Sequence, residues 1–240
     1  MISIQTNVAA LYGLQNLQAN QLKQQNTIEQ MTSGFRINTS ADDPAGLAQA
    51  NQLRNTNAML TQGVQNGNNA VGQLQIIDGG LSNISQILDR LQTLATEGAS
   101  STFTGNYGTL ANEFTNDVAE LTRQASNIGL ATAGGTDFNA ALSVYIGGGL
   151  GNNNGDILGN AQEAVNLSGT GNVVDATGLS LSSFAASNLT NAANFQGAVT
   201  AVAAAVKQLG SIQGTVGAGI NQVTFAVSLA QSQITNYSAA

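Results

Sequence analysis

Between Phe195 and Tyr237, apolar and small side chains recur in steps of three and four: Phe195, Val199, Val202, Val206, Leu209, Ile212, Val216, Ile220, Val223, Val227, Ala230, Ile234 and Tyr237. That spacing is the seam of a coiled coil, which needs partner helices along its whole length. At about 1.5 Å per residue the helix would run roughly 60 Å, longer than the core of a small globular enzyme can use. The stretch is also nearly without charge, since Lys207 is the one charged side chain from Ala176 to Ala240. A helix with one face in water normally carries charge there. Phe225 and Leu229, moreover, lie two positions either side of Val227 and so roughly 200° round the helix from it, while Val223 and Val227 share a face. A single partner would leave Phe225 and Leu229 wet. Burying Gln or Ser costs far less than burying an unpaired Lys or Glu, so the pattern fits a helix packed among several neighbours and points to self-assembly. Any one of these residues taken singly also fits an ordinary interior helix. Gly210, Gly214, Gly217 and Gly219 each cost up to about 1 kcal/mol in a helix interior, and leave open a helix, a short break and a second helix.

Composition narrows the function classes. The 240 residues are 42% hydrophobic, enough for a core, but only 8% are charged, far below the usual quarter. Six basic against thirteen acidic residues give a net charge of -7, which is no footprint for nucleic acid. The absence of His and Cys removes imidazole proton transfer, Ser/His/Asp catalysis, thiol nucleophiles, disulfides and His- or Cys-ligated zinc. No apolar run approaches a membrane span, and Met1 to Ala10 lacks the basic and apolar regions of a cleaved signal. No cofactor, metal, membrane or nucleic-acid partner is expected.

From Ile4 through Val8, Leu11, Leu14 and Leu17 an apolar stripe at helical spacing runs toward Ile28 and Met31. This helix should close near Gly34, a residue able to take the left-handed conformation. Asp42 and Asp43 then precede Pro44, the single proline, which suits a new helix capped by a carboxylate. Its seam reads Leu60, Val64, Val71, Leu74, Ile77, Leu81, Ile84, Leu88, Leu91 and Leu94, with a bend expected at Gly79 and Gly80. After a polar break from Gly98 to Gly108, a shorter antiparallel helix follows through Leu110, Phe114, Val118, Leu121, Ala125 and Ile128. Gly129 to Leu181 changes texture: the alternation at Leu142 to Ile146, turn formers at Asn152 to Asp156 and a return at Ala164 to Leu167 predict a hairpin. The expected fold is mainly α, an elongated bundle of long antiparallel coiled-coil-like helices with a small β-hairpin region. Its divisions are an N-terminal helix over 1–33, a turn, two helices and the hairpin over 34–187, and the long C-terminal helix over 188–240.

The segment Met31 to Arg54, MTSGFRINTSADDPAGLAQANQLR, resembles the bacterial flagellins. Ser33, Gly34, Arg36, Ile37 and Asn38 are similar to the family's S-G-x-R-I-N turn, and Asp42, Asp43, Pro44 and Gly46 to its D-D-P-A-G helix start. The likeness extends to Ile4–Ala10, Ile77–Leu94, the helix around Glu113 to Ile128, and Leu209 to Ala240, where Ser238 to Ala240 resemble its S-A-A. The resemblance is to a short form without large outer domains and without the C-terminal inner helix that, in the family, pairs with the N-terminal one. It implies a protein exported through the flagellar type III apparatus and polymerised into the filament outside the cell. Implied partners are further copies of itself, hook-associated and cap proteins, an export chaperone and Toll-like receptor 5. For that receptor Leu88, Arg90, Leu94 and Glu113 match the recognised pattern, while Gln92 and Thr93 replace an expected Arg and Glu. Leu88 and Leu94 also fit the helical seam, and Arg90 a solvated charge.

Other features read as structure. Asp42 and Asp43 lack the surroundings of an acid/base dyad and fit helix capping. The Gly147 to Gly155 run has neither Walker spacing nor a nearby Lys. Two alternatives stand beside the filament subunit: a hook–filament junction protein, which shares the terminal segments, and a carboxylate-dependent hydrolase. The hydrolase requires two acidic residues whose surroundings push their pKa values apart, and no such pair is evident in the sequence.

Overall fold

The computed structural model describes residues 7–132, 142–147, 162–167 and 172–239. The turn expected at 152–156, positions 148–155 of the glycine-rich run and the Ile4 end of the N-terminal stripe lie outside them. The chain divides into two compact units, Met1–Asn55 and Thr56–Ala240.

In the first unit, helix α1 (Val8–Ser33) opens on Asn7, whose side-chain oxygen accepts the Ala10 N–H. It closes on Gly34, at φ 73°, whose N–H donates to the Gln30 carbonyl. Asn at the N-cap and a left-handed glycine after the last turn satisfy groups that a helix leaves orphaned. No residue of α1 is buried. Asp43 caps the next helix, α2 (Pro44–Ala99), by accepting the Gly46 N–H at 2.9 Å. Proline follows at the first helical position, where its missing N–H costs nothing.

The second unit holds the rest of α2, helix α3 (Tyr107–Asn127), strands β1 (Leu142–Tyr145) and β2 (Gln162–Val165), and helix α4 (Ala192–Ala239). The strands pair antiparallel, Leu142 opposite Val165 and Tyr145 opposite Gln162. Helices α2 and α4 run antiparallel: Gly98 lies against the Phe195 ring, Gly67 against Val227, and Asn57 Nδ2 donates to Ser238 Oγ at 3.0 Å. Helix α3 runs back along α2, with Ile128 over Gly80 and Arg90 bound to Glu113. Neither expected interruption occurs, for α2 runs unbroken through Gly79 and Gly80 and α4 through Gly210, Gly214, Gly217 and Gly219.

The buried seams are more regular than the apolar residues alone indicate. On α4 the core positions are Phe195, Ala198, Val202, Ala205, Leu209, Ile212, Val216, Gly219, Val223, Val227 and Ala230. Val199 and Ile220 are therefore only half-buried flanks, and Val206 is 40% exposed. On α2, Gly63, Gly67 and Ala70 likewise hold the seam where Val64 and Val71 were expected. The reason is distance between backbones. A Cβ at Gly63 would collide with the Ile146 carbonyl, one at Gly67 with Val227, one at Gly80 with Ile128, and one at Gly219 with Val165. Small residues at seam positions let the hairpin and the facing helices approach to contact, which offsets their low helix propensity.

The segment returning to α4 is tied to the end of α3 by Asp175, the buried carboxylate of the described core. Its Oδ2 accepts the Thr132 N–H at 2.8 Å and its Oδ1 the Gly178 N–H at 2.7 Å. Val174 also donates its N–H to the Leu130 carbonyl at 2.9 Å. At the far end, Phe103, Tyr107 and Phe195 pack in sequence as tilted ring pairs, with centroids 5.0 and 5.9 Å apart.

Candidate assembly surfaces

The turn between α1 and α2 is built from the residues of the Met31 to Arg54 motif. Ser33 Oγ accepts the Phe35 N–H at 3.2 Å, and Gln30 Nε2 donates to the Arg36 carbonyl at 3.0 Å. The Asp42 carboxylate accepts the N–H groups of Thr39 and Asn38 at 3.0 and 3.2 Å. Those two backbone bonds, Thr39 first, hold its pKa below the ordinary carboxylate value. Gly46 leaves the room that Asp43 and Ile37 occupy, since a Cβ there would meet both side chains. Arg54 lies over the Phe35 ring, 5.3 Å from its centroid, within cation–π range. Asp42 and Asp43 thus hold two different pieces of backbone, and neither faces a reacting group.

The unusual surface is apolar. On α1, Leu11, Leu14 and Leu17 are each more than half exposed, as are Val8, Leu22 and Ile28, and Met31 is 80% exposed. On α4, Val223 and Val227 point into the core, whereas Phe225 is 75% and Leu229 60% exposed. Ile76 on α2, 69% exposed, belongs to the same class and was not singled out from the sequence. Its signal in the sequence was an apolar side chain directly beside Ile77 of the seam and so about 100° round the helix from it.

Of the four positions matched to a receptor contact, Leu88 and Leu94 are core residues, at 0% and 2% exposure. Only Arg90 and Glu113 reach the surface, where they pair across α2 and α3. One turn along α3, Asp117 Oδ2 is shut from solvent without a hydrogen-bond partner. Its pKa is raised, first by burial and then by Glu113, with Arg90 opposing. Glu120, by contrast, binds Arg123 and Gln124 and is lowered to about 2. The expectation that no two acidic residues are pushed apart in pKa is therefore corrected. The cause is partial burial of Asp117 on α3 and a bidentate arginine on its neighbour one turn away. No acid/base site follows, because the oxygens of Glu120 are occupied by Arg123 and Gln124 in the open and no nucleophile stands beside the pair.

Among the described residues no three acidic side chains converge as metal ligands. No described helix is long and apolar enough to cross a membrane.

Residues 4–140 match the family described as the bacterial flagellin N-terminal helical region. The chain is 32% identical over 123 residues to the B-type flagellin of Pseudomonas aeruginosa, covering 51% of this chain and 25% of that protein. It is 38% identical over 96 residues to flagellin B of Helicobacter pylori, 40% of this chain and 19% of that one. Against the flagellin of Escherichia coli O127:H6 it is 35% identical over 99 residues, 41% and 18% of the two chains. The matched stretches thus span a quarter or less of these relatives' own length.

Proposed function

This chain belongs to the bacterial flagellin family, and from that premise we propose that its full-length form is a structural subunit that self-assembles into the flagellar filament for swimming motility, without catalysis. The observation that carries the proposal is α1, a helix of 26 residues with an apolar stripe and no buried residue. Burying one Leu or Ile side chain contributes about 1.5–3 kcal/mol. Association costs about 4–15 kcal/mol in lost freedom and ordering. The side chains of the stripe are a little over half exposed, so covering each contributes roughly half of the burial figure; one such residue does not meet the cost, whereas the run from Val8 to Met31 together comes within its range. Phe225, Leu229 and Ile76 add a second set of uncovered side chains.

Under this reading the protein is exported through the flagellar type III apparatus and works outside the cell. Its partners are other copies, hook-associated and cap proteins, and an export chaperone. We extend the Toll-like receptor 5 reading to Arg90 and Glu113 alone.

Electron microscopy of the full-length protein at high concentration and high salt tests the proposal. Filaments are expected, and a species that remains monomeric under those conditions contradicts it.

A further inference from the structure

Within the second unit, the turn of α2 from Gly63 to Gly67 receives both the hairpin and α4. The Ile146 carbonyl lies against Gly63, and Val227 against Gly67. Between them Asn66 Nδ2 donates to the Tyr145 carbonyl at 3.1 Å, and Asn66 Oδ1 accepts from Gln62 Nε2 at 3.2 Å. Gly67 is buried and Asn66 half-buried. The Asn-Gly pair is therefore set by packing. The amide at Asn66 clamps the hairpin, and a Cβ at Gly67 would collide with Val227.

Such a pair is also chemically labile. With no Cβ on the following residue, a deprotonated Gly67 backbone nitrogen can reach the Asn66 side-chain carbonyl carbon. A new C–N bond forms, the bond from that carbon to Nδ2 breaks, and ammonia departs with the proton returned through solvent. The succinimide ring left behind is opened by water at one of its two carbonyls, giving aspartate or isoaspartate. No oxidant, metal or cofactor takes part. Asn-Gly occurs twice in the sequence, here and at Asn154–Gly155, the second pair lying outside the described residues.

Folding blocks the attack in three ways. Helix α2 runs unbroken through both residues, so the Gly67 N–H belongs to the main-chain ladder and is not free to ionise. The helical ψ of Asn66 holds its side-chain carbonyl carbon away from the Gly67 nitrogen. The amide group itself is fixed at both ends, by Tyr145 and by Gln62. In the unfolded chain none of these restraints exists.

We propose that Asn66 is a site of spontaneous deamidation, open in the unfolded chain and closed by folding of the second unit. The product does harm where the amide was useful. Aspartate has no donor for Tyr145 and sets a carboxylate against its carbonyl oxygen. Isoaspartate adds a methylene to the main chain and interrupts the α2 ladder. A chain that waits unfolded thus loses the hairpin clamp irreversibly, whereas one that folds promptly keeps it. The reaction depends on the fold of the second unit alone, so it stands or falls apart from the filament reading.

Incubating the full-length protein in mildly alkaline buffer, with and without urea, and reading Asn66 and Asn154 by peptide mass spectrometry tests the site. In urea both amides are expected to convert to acid at similar rates. In native buffer Asn66 is expected to convert at least about tenfold more slowly than in urea. Equal rates at Asn66 in the two buffers, or no conversion there in urea while Asn154 converts, overturn the proposal. Asn66→Asp should lower the melting temperature by roughly 2–10 °C, and melting at the wild-type temperature overturns the clamp. Should that variant not fold, wild type aged in urea and then refolded gives the reading instead. Its compact fraction is expected to be depleted in chains converted at Asn66, and an unchanged proportion overturns the clamp.

Discussion

Glycine has two opposite roles in this chain, separable by one methyl group. At Gly63 an added Cβ has no room, because the obstacle is the Ile146 carbonyl, which is backbone. Gly63→Ala is expected to lower stability by about 1–3 kcal/mol, as overpacking does. At Gly210 the same substitution meets nothing within 4 Å. Gly210→Ala should therefore stabilise the monomer by about 0.5–1 kcal/mol through helix propensity. Thermal melts of the two variants check both signs. Asp42 gives a prediction of another kind. Its folded pKa is depressed by the Thr39 and Asn38 N–H groups, so its contribution to the turn is present above the ordinary carboxylate pKa and is lost as pH falls through the depressed value. A carboxyl-carbon NMR titration should place Asp42 below the ordinary carboxylate value. A midpoint at the ordinary value would show that the two hydrogen bonds are absent in solution.

At the scale of elements, α1 and α4 are opposite cases. Helix α4 is held by eleven buried positions, and truncating one of the largest, Phe195→Ala, is expected to cost about 3–5 kcal/mol. Helix α1 has no buried position, so Leu14→Asp with Leu17→Asp should leave the monomer's melting temperature unchanged and abolish assembly. A drop in melting temperature would mean that the stripe is already covered within the molecule. Element type was legible in the sequence because steps of three and four extended over many turns. The start of α2 was legible too, since Asp43 and Pro44 satisfy local requirements that need no tertiary partner. The seam itself was less so. Greasiness pointed to Val64, Val71, Val199 and Val206, but the close approach of the hairpin and facing helices selects Gly63, Ala70, Ala198 and Ala205. That preference belongs to the neighbour's position, which local periodicity does not contain. The raised pKa of Asp117 and the link from Asp175 to Thr132 were hidden for the same reason, as both depend on contacts between elements distant in sequence.

For the molecule as a whole, the central claim is that apolar side chains in water on the free chain are covered by other copies. Low charge and uncovered Leu, Ile and Phe side chains act together, since large exposed apolar patches mark interaction surfaces. The Arg90–Glu113 pair is about half exposed on both sides, where water and salt screen it. Surface ion pairs of this kind do not account for so sparsely charged a surface. Hydroxyl-radical footprinting of the full-length protein, compared between dilute monomer and concentrated high-salt solution, measures the covering directly. The account predicts strong labelling of Leu14, Leu17, Phe225 and Leu229 in the monomer and protection of all four in the assembled state. Labelling of these residues that does not change between the two states would contradict it.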